Sequence, residues 1–381
     1  MKMDTWHCAG WSTELATGPL GRKLLGRHVV LFRDANGTAH ALGACCPHRG
    51  ADLAKGAVVG GCIQCPFHGW RFNGVGQCVR VPSQPESRKI PPRACVPSYP
   101  LHERRGTLWI WMGAGEMQRG EPPEDSVGRP GPFARRVFFD PHLVEAPFLD
   151  VLENFFDKAH LPFIHIGSFG PHQNPLVARQ RITVDPDGRS LHAEDDPDAP
   201  RHVEPKLPRG FVGLLGRLLL GLRRPIAQHT RFDIDGGAQI YLEYPTGTYD
   251  RFVAHMTPAD KGHTWLFVES VRTRAPHALG DWIQRRAINK VFEEGKRETS
   301  LILDVGAEGP PRPVSVGPTG SAWRPVSCTN AGRVLRRRPH SRTRRSTCET
   351  GRTHKQPGGI SRRLRSPSVS AKRAPRSRRT M

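Results

Sequence analysis

CCPHRGADLAKGAVVGGCIQCPFHGW, residues 45–70, sets cysteine beside histidine twice within about two dozen residues. Cys46-Pro47-His48 and Cys65-Pro66-Phe67-His68 give C-x-H, sixteen residues, then C-x-x-H. Structural zinc fingers usually pair Cys with Cys and His with His. Here each loop offers one thiolate and one imidazole. That division suits an asymmetric two-iron, two-sulfur cluster, with thiolates on one iron and imidazoles on the other. Replacing two thiolates by neutral imidazoles raises the reduction potential to roughly −150 to +300 mV, from about −400 mV in all-cysteine plant-type clusters. The competing interpretation is an unmetallated pair of cysteine-rich hairpins.

With its ligand spacing in view, the segment resembles a Rieske domain. Pro47 and Pro66 stiffen the ligand loops, and Gly69-Trp70 follows the second histidine as in that family. Rieske proteins of cytochrome complexes add a disulfide between the loops. Here those positions hold Ala51-side residues and Phe67, without cysteine, so the resemblance points to the oxygenase or ferredoxin branch. It implies a [2Fe–2S] cluster held by Cys46, His48, Cys65 and His68. Cys45 and Cys62 lie beside ligands whose spacing is already satisfied, and are expected to be small buried hydrophobes.

Around this segment, residues 5–115 read as small β modules. HVVLFR, the turn DANG and TAHAL form a hairpin pattern with Asn36-Gly37 as its turn signal. FNGVGQCVRVP repeats the idea, and TLWIWMG is another β-rich run. Residues 116–137, dense in Gly, Pro and charge, read as a linker. From 138 to 304 the pattern changes. EAPFLDVLENFFDKAHLPFIH contains a helix, QIYLEYP, FVAHM and HTWLFVESVR read as strands, and DWIQRRAINKVFEEGKRETSLILDV reads as a long closing helix. The fold class is α+β: an N-terminal all-β domain, then an α+β domain with a central antiparallel sheet, helix-grip-like.

The second domain carries the other dense constellation, Asn154 to His165. Asn154, Asp157 and His160 step by three, which predicts one shared helix face. His165 is about 140° further round an ideal helix. Pro162 is placed to end or bend the helix and bring the second imidazole round. Beside a Rieske segment, this resembles the D-x-x-H-x-x-x-x-H stretch of Rieske non-haem iron oxygenases. The resemblance implies His160 and His165 as ligands of a mononuclear Fe(II), with Asp157 as the carboxylate linking one subunit's Rieske histidines to the next subunit's iron. The third ligand of that family is an Asp on the C-terminal helix. The matching stretch, Val291-Phe292-Glu293-Glu294-Gly295-Lys296, has glycine there, leaving Glu294 and, less well placed, Asp304.

Composition bounds the remainder. Net charge is +22, but residues 305–381 hold 19 Lys or Arg against 2 acidic residues, leaving 38 against 33 in the first 304. The basicity therefore belongs to the tail. Its last stretch has no aromatic residue to stack bases, so no specific nucleic-acid partner is expected. The tail reads as disordered, either a natural basic extension or an out-of-frame translation. The run FVGLLGRLLLGL, 211–222, is too short to span a bilayer and reads as a buried or lid-forming helix. The N-terminal residues lack a signal-peptide layout, so the expected location is cytoplasmic. Arg231, Arg251 and His255 are expected as solvated strand-end charges, with a carboxylate-binding role as the alternative. By resemblance the chain is a homotrimeric terminal oxygenase. A flavin and iron–sulfur reductase using NAD(P)H would supply its electrons, and the substrate would be a small aromatic or apolar molecule plus dioxygen. The rival reading is a Rieske electron carrier or inactive paralogue with an incomplete iron site.

Overall fold

A computed structural model describes residues 4–113, 122, 133–168, 180–195, 225, 227–233, 235–299, 315–316 and 322–323, and the fold is stated for these. Most of the linker, the apolar run 211–222, Asp304 and nearly all of the basic tail lie outside them. All described residues belong to one compact unit, Met1–Trp323.

The N-terminal part is three antiparallel sheets. β2 (Leu20–Leu24), β3 (Arg27–Arg33), β4 (Ala39–Gly43) and β9 (Ser98–Tyr99) lie in that order. β1 (Trp6–Trp11), β11 (Thr107–Trp111) and β10 (Leu101–Arg104) form the second sheet. β5 (Ala57–Val59), β6 (Cys62–Gln64), β7 (Arg71–Phe72) and β8 (Cys78–Arg80) form the third. β3 sits between two cores. Val29 and Leu31 pack with Leu108 and Ile110, whereas Val30 and Phe32 pack with Ile63, Phe72, Cys46 and Cys65. Burial on both faces explains why HVVLFR is a continuous apolar run instead of an alternation. The Asn36-Gly37 turn forms as expected. Asp34 Oδ1 accepts from Asn36 N and Thr38 N, both at 2.9 Å, and Gly37 takes φ +81°.

The second part is one antiparallel sheet. It runs β12 (Arg135–Phe138), β19 (Thr264–Arg272), β18 (Tyr249–Pro258), β17 (Gly237–Glu243), β16 (Ala227–Asp233), β15 (Ser190–Asp195) and β14 (Gln180–Val184). β13 (His142–Val144) also pairs with β19. The helices are α1 (Phe148–Phe156), the short α2 (Leu161–Ile164) and α3 (Ala278–Thr299). On α1 the apolar residues Phe148, Val151, Leu152 and Phe155 recur at helical spacing. They meet Phe232, Ala238, Ala254 and Val268 on one sheet face, together with Ile288 and Phe292 of α3. The strands at QIYLEYP, FVAHM and HTWLFVESVR stand as read from sequence, and the closing helix stands as far as Thr299, its expected end, 300–305, lying outside the described residues.

The opposite sheet face meets the first domain through aromatics. Trp6, Trp11, Trp109 and Trp111 pack with Phe267, and Trp11 Nε1 donates to Phe139 O at 2.7 Å. Thr257 Oγ1 donates to Cys8 O at 2.8 Å, and Lys23 pairs with Asp260 at 2.7 Å. Behind this seam lies a buried ion cluster. Glu269, 0 % exposed, accepts from both Nε and Nη2 of Arg136, the latter at 2.9 Å, and stands 3.5 Å from His255 Nε2. Burial alone would push the Glu269 carboxyl up, but the bonds from His255 and Arg136 win and hold it below the ordinary glutamate range. Its contribution to stability is present above the unfolded glutamate value, about 4.3. It is lost as pH falls through the lower native value. Glu269→Ala is expected to cost about 3–5 kcal/mol, because it removes the fully buried carboxylate that the half-buried Arg136 and the buried His255 share. Urea unfolding at pH 7 measures this, and a loss within about 0.5 kcal/mol, typical of plain surface sites, would sink the argument.

Candidate metal centres

The two loops of the opening segment have one geometry. In the first, Cys46 N donates to Ala51 O at 2.9 Å and Gly50 N to Cys46 O at 2.9 Å. In the second, Cys65 N donates to Trp70 O at 2.8 Å and Gly69 N to Cys65 O at 3.1 Å. Gly50 and Gly69 close these turns at φ +72° and +69°, a region where a Cβ is strained. The repeated C-P-x-x-G is thus a structural repeat, and it sets the two expected thiols in one cluster and the two expected imidazoles beside each other. Both cysteines are 2 % exposed, in one apolar cluster. Both histidines lie at the surface, ring centroids 4.6 Å apart, with His48 stacked on Trp70 at 4.7 Å and 4°.

Two buried sulfurs under two exposed imidazoles match the donor division of a Rieske cluster. Burial, with Cys65 alongside, pushes the Cys46 thiol up to about 11. A buried thiolate pair needs a cation to be stable, which a metal cluster supplies. The residues fit the group. Cys45 and Cys62 correct the sequence reading: Cys45 is exposed and Cys62 half-buried. The alternation of extended backbone turns each of them outward when its neighbour, Cys46 or Ile63, turns in.

The second constellation departs from expectation in its backbone. Asn154, Asp157 and His160 do not share a helix face. The last α1 bond runs from Asp157 N to Glu153 O, and Asp157 then leaves at ψ 115°. Asp157 Oδ1 accepts from Ala159 N at 2.7 Å, a local bond that competes with helix continuation. Pro162 opens the next helix instead of ending the previous one, since a first-turn residue needs no N–H. His160 and His165 therefore cap the two ends of α2, with rings 5.3 Å apart.

This break gathers the donors. His165 Nδ1 faces Glu294 Oε2 of α3 at 3.3 Å, and Ser168 Oγ donates to the same oxygen at 2.6 Å. His165 and Glu294 are both 7 % exposed. A Cβ on Gly167 would lie 2.1 Å from Glu294 Oε1, so a larger residue there would push that carboxylate from its present place. Gly295, where the family resemblance called for aspartate, points elsewhere: its Cβ would meet nothing within 4 Å. His160 Nδ1 is buried without a hydrogen-bond partner, Asp157 Oδ2 standing 3.5 Å away and poorly directed. The imidazole beside it holds the Asp157 carboxyl below the ordinary aspartate range.

Among the described residues no three such groups stand closed enough to hold one ion as they are. The donor set is nonetheless that of an iron(II) facial triad, two imidazoles and a carboxylate, with one orphaned nitrogen. Adjacent donors of one ion, each about 2.1 Å from it, stand roughly 3 Å apart, close to the His165–Glu294 separation. The residues fit a mononuclear iron. Ser168 and Gly167 carried no signal in sequence, because each matters only through a contact with α3.

Arg231, Arg251 and His255 lie on the sheet face opposite Phe232, Ala238 and Ala254, away from α1 and α3. Arg231 pairs with Asp233 at 3.0 Å, and Arg251 lies over Tyr241 at 5.5 Å. His255 is not a solvated strand end. It is buried, edge-on to Trp109 at 5.0 Å, because the first domain covers that end of the sheet.

Comparison with known proteins follows the same division. The family profile of the Rieske [2Fe-2S] domain matches residues 5–100, and that of the vanillate O-demethylase oxygenase C-terminal domain matches 144–300. Protein TIC 55, chloroplastic, of Arabidopsis thaliana is 31% identical over 288 residues, 72% of this chain and 48% of that protein. The oxygenase component of dicamba O-demethylase from Stenotrophomonas maltophilia is 35% identical over 224 residues, 58% of this chain and 61% of that protein. The chain spans about half the length of the first curated relatives it matches. The fold is that of Pseudomonas putida CBB5 NdmA with caffeine, with a TM-score of 0.66 at 24% identity, covering 82% of this chain and 86% of that one. No helix among the described residues is long and apolar enough to cross a membrane.

Proposed function

We propose, on the premise that this chain belongs to the Rieske oxygenases, that it is the terminal oxygenase of a multicomponent system acting on a small aromatic or apolar molecule. The observation that carries the reading is the pairing, in one chain, of a two-thiol, two-imidazole set with a two-imidazole, one-carboxylate set. When bound, the cluster supplies single electrons and the iron supplies dioxygen activation, chemistry that side chains alone lack.

The chain's own residues position and shield. Cys46 and Cys65, both buried, would hold the cluster from the inner side, and His48 and His68, both exposed, would hold it from the surface. Ser168 fixes the rotamer of Glu294 beside His165. Asp157, half-exposed and 3.5 Å from His160 Nδ1, would steady that imidazole once iron is bound and, in the trimer proposed below, would present its carboxylate to a neighbouring subunit. The homotrimer, the cytoplasmic location and an NAD(P)H-dependent flavin and iron–sulfur reductase are part of the same proposal. The likeness to the O-demethylases favours oxidative demethylation among the possible outcomes.

The test begins with protein purified anaerobically and supplied with iron(II). About three irons per two acid-labile sulfides, with a Rieske-type EPR signal on reduction, is the expected result. Reductase, NADH and a methoxybenzoate should then give oxygen uptake with formaldehyde release. Two irons per two sulfides with no oxygen uptake on any aromatic tried would favour an electron carrier instead.

A further inference from the structure

We propose that Lys290 is a positioning residue for the mononuclear iron: it latches the turn that follows α2 onto α3, and so holds the Glu294 carboxylate against His165. The inference rests on the iron-site reading above and adds to it a side chain that is not itself a donor.

Turn and helix clasp each other through two opposed bonds. Ser168 Oγ donates to Glu294 Oε2 at 2.6 Å, from turn to helix. Lys290 Nζ donates to Gly167 O, from helix to turn. Lys290 and Glu294 are four residues apart on α3, hence neighbours one turn apart on the same face. A Cβ built on Gly167 would lie 2.1 Å from Glu294 Oε1, 2.9 Å from Lys290 Cε and 3.1 Å from Lys290 Nζ, so both side chains close round one α-carbon. The turn carries this constraint back to the imidazole. Ser168 N donates to His165 O at 3.1 Å, and Ser168 Oγ lies 3.4 Å from the same carbonyl.

The two bonds differ in what a metal would do to them. The serine bond ends on a carboxylate oxygen, which a bound iron would share, so that bond must adjust when the metal enters. The lysine bond ends on a backbone carbonyl outside the donor set and persists in both states. A tie of that kind keeps the donors in place before metal arrives and lessens the rearrangement that binding requires. An ordinary ion pair along the helix does not account for Lys290. Lysine preceding glutamate is the weaker order at this spacing, and among the described residues no salt bridge joins Lys290 to Glu294, whose charged neighbour is His165. Lys296 provides the contrast: it lies two residues beyond Glu294 on α3, is exposed, and pairs with Glu293 at 2.7 Å.

The test uses the full chain carrying both the cluster and iron(II). Release of the third iron to a ferrous chelator is timed, while the visible spectrum follows the cluster. Lys290→Met should release that iron roughly 10-fold faster, the lower end of what orienting partners of metal ligands are worth, with the cluster spectrum unchanged. Lys290→Arg, whose guanidinium can donate to the same carbonyl, should return the rate to near that of the unmodified protein. Lys296→Met, which removes an equal charge from the same helix, should match the unmodified protein. Before iron is added, amide hydrogen exchange in the peptide spanning residues 161–168 should be faster in Lys290→Met. Unmodified iron release from Lys290→Met would overturn the proposal even with faster exchange, since the bond would then hold the backbone and not the site. Equal acceleration in Lys296→Met would overturn it as a plain effect of charge, and so would a failure of Lys290→Arg to restore the rate. Unmodified protein that takes up no third iron would overturn the iron-site reading beneath it as well, which separates the two failures.

Discussion

Glu294→Ala is expected to lose the mononuclear iron and keep the cluster, so that reconstituted protein falls from about three irons to about two per two sulfides. Orienting partners of metal ligands alone are worth about 10–100-fold in affinity, and removing a ligating carboxylate should cost more. Oxygen uptake should fall with the iron, while the EPR signal of the reduced cluster stays. The companion variant decides the register. Successive helix positions are 100° apart, and Gly295 faces open space while Glu294 faces His165 and Ser168. Adding Gly295→Asp to Glu294→Ala should therefore not restore iron. Iron retained at full affinity in Glu294→Ala would move the third ligand elsewhere, and rescue by Gly295→Asp would show that α3 is turned by one residue.

Cys65→Ser should abolish the cluster outright, with both its irons and both its sulfides. Cys62→Ser, three residues away, should leave it intact. Cys65 is 2 % exposed beside Cys46, whereas Cys62 is half-buried at the start of β6. A group bound at about 1,000 times its dissociation constant stabilises the native state by about 4 kcal/mol. The loss of the cluster should therefore appear as a lowered melting temperature as well as a lost visible spectrum. A Rieske-type signal surviving in Cys65→Ser, or disappearing in Cys62→Ser, would reject the ligand set.

The proposed first centre is written almost completely in local sequence. Its candidate ligands lie within one segment of 23 residues, in two loops that each close on a local hydrogen bond and a glycine. Short-range backbone geometry decides such a site, and proline, glycine and ligand spacing record it. The β modules were legible for the same reason. HVVLFR, DANG and TAHAL carry their hairpin in local chemistry, and β17, β18 and β19 carry theirs in apolar content.

The second centre was legible in its residues and not in its conformation. Spacing by three predicted a continuous helix face, but the Asp157 side chain bonds Ala159 N and the helix stops. A competition between two local hydrogen-bond patterns is nearly balanced in free energy, and packing against the sheet settles it. The choice of Glu294 over Gly295, the fit of Gly167 beside that carboxylate and the bond from Ser168 all depend on how α3 is rotated about its axis. That rotation is set by Ile288 and Phe292 packing on the sheet, more than a hundred residues from His165. The sequence by itself picked out the candidate cluster ligands, the two candidate iron histidines and the order of elements, because each is written in neighbouring residues. The placing of Glu294 beside His165, the burial of His255 and the outward turn of Cys45 were decided only by tertiary structure, because each depends on which distant surface arrives to cover it.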